Sequence, residues 1–353
     1  MMNALSVRPL LKRDIEHVMD HARRDLECLR GARLLVTGGT GFFGKWLVSS
    51  FIEANCALRL CATMALLTRD PERFRQQNPE FAANPAISLC RGDVRRSEFP
   101  SGEFSHIIHG ASGPGSQPLE MFDTIVEGSR RTLECAARSG AKRFLFLSSG
   151  AVYGPQPTAM THIPETYTGG PDPLLPSSEY GEAKRAAEHL CSVLSRANGF
   201  EATVARCFTF CGPHLPLNSN FAVGNFIGDA LEGRPIRIQG DGTTYRSYLY
   251  AADLAVWLWA LLVRGEDQRA YNVGSDEDLT IATLAETVAE VANSQHAIQI
   301  AQEPTPGAVP LRYVPSVDRA EAELGLEPRI KLKEGVTRTL DWLRSESGGR
   351  RCL

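Results

Sequence analysis

Residues 34–36 form a strand-length apolar run. It leads into Thr37-Gly38-Gly39-Thr40-Gly41-Phe42-Phe43-Gly44, and then into the apolar Trp46, Leu47 and Val48. Strand, glycine turn and helix in that order leave few folds open. Glycine at 38 or 39 lets the chain turn sharply, and the missing Cβ of Gly41 lets the backbone approach a pyrophosphate. Gly44 lets the helix lie against the strand. Phe42 and Phe43 open that helix, where free N–H groups and the positive dipole end face phosphates. The pattern is that of a dinucleotide-binding turn.

The flanking residues repeat the alternation. Strands are predicted over 34–37, 64–68, 87–89, 106–109, 144–148 and 203–207, and helices over 45–55, 122–139 and 179–196. This order implies an α/β fold with a doubly wound parallel sheet. Ligands of such sheets bind beyond the carboxyl ends of the strands. After Cys207 the pattern loosens at Gly212-Pro213. Helices are expected over 221–232, 253–262, 279–292, 317–324 and 333–345, strands over 236–239 and 270–274, and a proline-rich surface loop over 302–316. The expected organisation is an amphipathic N-terminal helix within 1–30 and a dinucleotide-binding domain over 31–207 with about 247–275. A smaller C-terminal substrate-binding lobe takes 208–246 and 276–353.

Bulk properties exclude several classes. A net charge of −3 offers nothing to nucleic acid. No run of 18 apolar residues exists to cross a bilayer. Residues 1–11 lack the basic-then-apolar layout of a secretory signal. Nine cysteines without framework spacing read as reduced thiols, so a cytoplasmic protein is expected. Neither Cys56 with Cys61 nor Cys207 with Cys211 has histidines at zinc-ligand spacing, and no metal is expected.

The chemistry gathers near strand ends. Ser148 and Ser149 close the fifth strand, and Tyr180 and Lys184 lie at i and i+4 on one helix face. An ammonium beside a phenol favours the phenolate and fits tyrosine to exchange protons near neutrality. A strand-end serine can bond the same substrate oxygen. The second strand ends in Thr68-Arg69-Asp70. Arg69 with the Thr68 hydroxyl suits a 2′-phosphate, whereas Asp70 suits a free ribose diol if the strand runs one residue longer. NAD and NADP both stand, and the residues lean to NADP.

Gly92-Asp93-Val94, His109-Gly110-Ala111, Ser148-Ser149-Gly150-Ala151-Val152-Tyr153-Gly154, Tyr180 with Lys184, Gly212-Pro213, Tyr245-Arg246-Ser247-Tyr248 and Tyr271-Asn272-Val273-Gly274 complete the pattern. With these the chain resembles the extended short-chain dehydrogenase/reductases, in the NAD-dependent epimerase/dehydratase family that modifies nucleotide sugars, from Arg33 to about Arg344. The resemblance implies a Rossmann sheet and a homodimer formed through the helices at 122–139 and 179–196. It implies Tyr180 as acid/base on the sugar hydroxyl that becomes a ketone, Lys184 on the nicotinamide ribose, and Ser149 rather than Ser148 on the same oxygen. Cofactor contacts are implied at Gly38, Gly41, Phe42, Phe43, Gly44, Thr68, Arg69, Asp93 (on the adenine edge), Val94, Gly110, Ala111, Tyr180 and Lys184. Substrate contacts are implied at Ser149, Thr209, Asn225 and Arg246, the last on the diphosphate. Family habit for epimerases is NAD.

Departures narrow the reaction. Family 4,6-dehydratases and some decarboxylases carry acids just after the active-site Ser/Thr, where this chain has Gly150 and Ala151. Neither can protonate a leaving hydroxyl. Ile125 and Thr209 stand where the family often has asparagine, which weakens transfer of a particular sugar. His162, Glu165 and His214 read as loop residues rather than catalytic ones. The expected function is nucleotide-sugar epimerisation through a transient keto-sugar. An NADPH-dependent keto-sugar reductase, a 4,6-dehydratase and a non-catalytic NAD(P)-binding protein are the alternatives.

Overall fold

The computed structural model describes residues 10–113, 119–219 and 221–348, so the reading of residues 1–9 falls outside it. Helix α1 (Lys12–Glu27) precedes β1 (Arg33–Thr37), α2 (Phe42–Ala57), β2 (Thr63–Thr68), the short helices α3 (Pro71–Gln77) and α4 (Pro79–Ala83), and β3 (Ile87–Arg91). Then come β4 (His106–His109), α5 (Glu120–Arg138), β5 (Arg143–Ser149), α6 (Glu179–Asn198) and β6 (Glu201–Cys207). They are followed by β7 (Phe210–Cys211), α7 (Ala222–Leu231), β8 (Arg237–Ile238), β9 (Tyr245–Arg246), β10 (Leu249–Tyr250), α8 (Ala251–Arg264) and β11 (Arg269–Val273). The chain ends with β12 (Leu279–Thr280), α9 (Ile281–Ala292), β13 (Gln299–Ile300), β14 (Arg312–Tyr313), α10 (Asp318–Leu324) and α11 (Leu332–Gly348).

The main sheet has seven strands in the order β11-β6-β5-β4-β1-β2-β3. Every pairing from β3 across to β6 is parallel. The chain winds outward from β1 to β2 and β3, then returns to β4 and winds the other way. Strand order therefore reverses between β1 and β4, the point where such sheets bind ligands. The expected doubly wound parallel sheet is the one that forms.

Two compact units are present. One comprises Met1–Gly154, Thr168–Cys207 and Ala255–Tyr271, and the other Pro155–Tyr167, Phe208–Leu254 and Asn272–Leu353. The first holds the central strands and α1, whose Val18, Ala22 and Leu26 are fully buried. The α1 carboxylate of Asp25 accepts from Arg264 Nε at 2.6 Å. The second holds small sheets, among them β12-β9-β14. Here 302–316 departs from the expected surface loop: 312–313 pairs with β9, and Val314 is fully buried. α3 and α4 were not foreseen; Asp70 caps α3 by accepting from the Arg73 N–H, and Pro71 follows at N1. No helix among the described residues is long and apolar enough to cross a membrane.

The glycine turn is fixed by contact as well as by conformation. Gly38 has φ +74°, and a Cβ there would lie 2.6 Å from the Gly110 carbonyl carbon. A Cβ on Gly44 would stand 2.2 Å from the Gly39 backbone, while Trp46 and Phe51 of α2 are fully buried. Gly44→Ala must therefore lift α2 off β1. It is expected to cost about 3 kcal/mol or more, an overpacking penalty against backbone that cannot yield, read as a lower thermal midpoint.

Candidate active site

The first unit assembles Ser149, Tyr180 and Lys184 at the carboxyl end of β5. Ser149 is the last residue of β5, and its Oγ accepts from the Ala151 N–H at 3.2 Å. The Ser149 hydroxyl also hydrogen-bonds the Tyr180 phenol. Four residues on, Lys184 is buried and its Nζ donates to the Leu147 carbonyl at 2.7 Å. The ammonium lies 4.9 Å from the Phe146 ring centroid and 5.8 Å from that of Tyr180. Ser148 is engaged elsewhere: its hydroxyl donates to Glu188 at 2.6 Å. The geometry thus separates the two serines.

Electrostatics correct one expectation. Burial pushes the Tyr180 phenol above its usual value, against the hydrogen bond from Ser149. Burial of the phenol is the dominant influence here and outweighs the stabilisation that a phenolate could draw from its neighbours. Burial also drives Lys184 down to about 8. The Cys207 thiol beside them is pushed up to about 12 by burial, so it stays protonated.

The turn fits a dinucleotide. A Cβ on Gly41 would touch only the Gly38 carbonyl oxygen at 3.4 Å, so the protein's own packing does not require glycine there. Gly41 is also the N-cap of α2 and offers no side-chain acceptor. The N-terminus of α2, where a helix presents backbone N–H groups, is what a pyrophosphate needs. Phe42 and Phe43 stand at this first turn with ring centroids 5.5 Å apart. Gly110 packs under Leu147, and Ala111 N–H donates to Thr37 Oγ1 at 3.4 Å. Behind them His109 is fully buried, bonded to Thr37 at 2.6 Å and Ser129 at 2.9 Å, and burial pushes it down to about 3. It ties β4 to β1 as a neutral ring.

The other assigned positions have these surroundings. Asp93 is clamped by Arg95 at 2.8 Å, whose hydrogen bonds hold its carboxyl at about 2. Arg95 was not singled out, although its place two residues after Asp93 is a signal. Val94 is buried against Gly128. Asp70 is exposed and caps α3 through one carboxylate oxygen. Buried Thr68 accepts from the Asp70 N–H at 3.4 Å, and Arg69 is exposed. Ile125 is fully buried core.

The second unit carries a pocket lined by Thr209, Phe221, Arg246, Tyr248 and Ile281. Arg246 is stacked 5.4 Å from the Tyr313 ring centroid, and burial lowers its pKa. The Thr209 hydroxyl is tied to the Ser247 carbonyl. Asn225 closes its own loop by bonding Ser219 in both directions, at 2.8 and 3.2 Å, and is not among the pocket-lining residues. His162 bonds the Asp276 carbonyl, and Glu165 accepts from the Asn272 N–H, so both serve the loop. His214 lies edge-on to Trp342. Among the described residues no group of three or more His, Cys, Asp or Glu is placed to hold a metal ion.

Residues 34–274 match the family model described as NAD dependent epimerase/dehydratase family. The chain belongs to this family. It is accordingly an NAD(P)-dependent enzyme of the extended short-chain dehydrogenase/reductase type. Among relatives, UDP-glucuronic acid decarboxylase 5 of Arabidopsis thaliana is 33% identical over 316 residues, 88% of either chain. The UDP-glucose 4-epimerase of Thermotoga maritima superposes with a TM-score of 0.74 at 25% identity, covering 89% of this chain and 99% of that one. The UDP-glucose 4-epimerase of Thermus thermophilus, solved with NAD, gives 0.71 at 26%, covering 88% and 99%.

Proposed function

We propose that the enzyme oxidises a ring hydroxyl of a nucleotide sugar and returns the hydride to the resulting ketone, giving net epimerisation. The observation that carries this reading is the Ser149–Tyr180–Lys184 set with no acid in the two positions that follow Ser149. Position 150 is a buried glycine and 151 an alanine, so neither supplies an acid to protonate a leaving hydroxyl, and Tyr180 is the proton-transfer group of this reading. A bound nicotinamide supplies the hydride acceptor and donor. Gly38, Gly41, Gly44, Gly110 and Ala111 would hold its dinucleotide, and Lys184 its ribose. Tyr180 takes the hydroxyl proton and later restores it. Ser149 holds the oxygen, because its hydroxyl already lies in hydrogen-bond contact with the phenol. Arg246, a planar guanidinium in a partly apolar pocket, suits a diphosphate.

A second reading, decarboxylation of a nucleotide-linked uronic acid, is favoured by the relatives at 30 to 33% identity. A ketone β to a carboxylate accepts the electrons released as carbon dioxide leaves, and that step needs no acid at 150 or 151. The test is a mass-resolved chromatogram of a nucleotide-sugar panel incubated without added reductant. A new peak of unchanged mass is expected. A product lighter by carbon dioxide selects the second reading. A product lighter by water overturns the argument from Gly150 and Ala151, and a two-hydrogen gain only with NADPH makes the enzyme a reductase.

A further inference from the structure

We propose that Glu179 is a positioning residue for Tyr180: its carboxylate caps the neighbouring helix α5 and so fixes the phenol against Ser149. This rests on the reading of Tyr180 as the proton-transfer group. Helix α5 begins without a side-chain cap of its own. The residue before it, Leu119, has no side-chain acceptor and holds φ +62° and ψ −2°, in the left-handed region. The acceptor comes instead from α6: Glu179 Oε1 accepts from the Phe122 N–H at 3.2 Å. Phe122 is the third residue of α5, and its N–H is one that an N-cap side chain ordinarily takes. A carboxylate there also meets the positive end of the helix dipole. Glu179 is half-buried and is the first residue of α6, so the bond joins the starts of the two helices.

Tyr180 is flanked by two such contacts. Before it stands Glu179, held on α5. After it stands Gly181, where a Cβ would lie 2.7 Å from the Ala151 carbonyl oxygen. Ala151 belongs to the turn that follows Ser149 and donates its N–H to the Ser149 hydroxyl. The residue before the tyrosine therefore ties α6 to α5, and the residue after it ties α6 to the end of β5. The ring shares this environment: Met121, Phe122 and Tyr180 pack against one apolar cluster that includes Phe144, Phe146 and Ala183. Without the Glu179 bond the first turn of α6 keeps the Gly181 contact and loses its hydrogen bond to α5. A small rotation of that turn is amplified at the phenol oxygen, which is the far end of the side chain. Misplacement of a reacting group by about 1 Å can cost roughly 100-fold in rate.

The test joins amide hydrogen exchange, read by mass spectrometry, to steady-state turnover on the nucleotide-sugar panel above. Glu179→Ala is expected to speed exchange in the first turn of α5 by roughly tenfold, the scale of a lost charge-assisted hydrogen bond, and to leave the last turn unchanged. It should lower kcat by roughly tenfold and move KM by less than about twofold. Glu179→Gln keeps an acceptor in the same place and should recover most of the turnover. The deciding variant is Glu179→Ala in a Tyr180→Phe background. There it should cost nothing further, because no phenol is left to position. An equal fold-loss in both backgrounds would overturn the proposal, since a merely structural role lowers the residual rate as well. Unchanged exchange at the start of α5 would overturn the cap. Faster exchange with unaltered kcat would leave Glu179 a stabiliser of α5 and would also overturn the positioning role. If Tyr180→Phe itself turns over at the wild-type rate, the reading of Tyr180 fails and this proposal with it.

Discussion

Tyr180→Phe is expected to lower turnover by roughly 10²- to 10⁴-fold, the span of a lost general acid/base. Nucleotide-sugar affinity should change little, since the aromatic ring and its packing survive. The phenol has one donor neighbour, Ser149, and burial raises its pKa in the protein alone. The ionisation needed for proton removal must therefore be drawn down by positive charge nearby when the site is filled. Lys184 is the chain's own source. Its Nζ is fixed on the Leu147 carbonyl, and with its pKa at about 8 it remains largely ammonium at neutral pH. Activity should consequently fall on the alkaline side, as Lys184 loses its proton. A Tyr180→Phe enzyme that turns over at the wild-type rate would remove Tyr180 from the mechanism; the measurement is steady-state kinetics across pH 6 to 10 (about the range where enzyme side chains near neutrality titrate).

The glycine turn and the central strands were legible because the residues that make them are also the residues that constrain them. Gly38 and Gly44 admit no Cβ, and a backbone that excludes every other residue writes itself into the sequence. The i, i+4 spacing of Tyr180 and Lys184 likewise survives folding, because a helix converts spacing directly into a shared face. Partner choice is not legible in this way. Asp70 stands before Pro71 and also caps α3, a use that shows only once the helix is in place. Asp93 carries an ion pair with Arg95 that its spacing alone does not disclose. The rise in the Tyr180 pKa belongs to the same class, since desolvation depends on what the whole unit folds over the ring. The short strands of the second unit were hardest to see. Pairs such as 245–246 with 312–313 are two residues long and are held by contacts far apart in the chain.

Glu188→Ala is expected to cost about 3 kcal/mol of stability, the low end for breaking a buried pair, because both partners keep some solvent contact. Glu188 is one further turn along the same face of α6 as Lys184. Its carboxylate accepts from Arg206 Nε and Nη2 at 3.1 and 2.7 Å and from Ser148 at 2.6 Å. Arg206 also donates to the Tyr153 hydroxyl at 3.0 Å. Burial works against the charge on Arg206, yet its hydrogen bonds to Glu188 hold its pKa above the ordinary value. Removing the carboxylate leaves a largely buried guanidinium without its counter-charge and frees the residue beside Ser149. The double change Glu188→Leu with Arg206→Met should recover most of the lost stability, since the expensive state is the lone charge rather than the missing pair. Recovery in the thermal midpoint without recovery of turnover would mark Glu188 as a positioning residue. Glu188→Gln supplies the readout that a purely structural role would not move. The anion lies near Lys184 and raises its pKa, so its loss should carry the alkaline limb of the rate profile to lower pH. An unmoved limb would mean that Glu188 serves only the packing of α6 against β5 and β6.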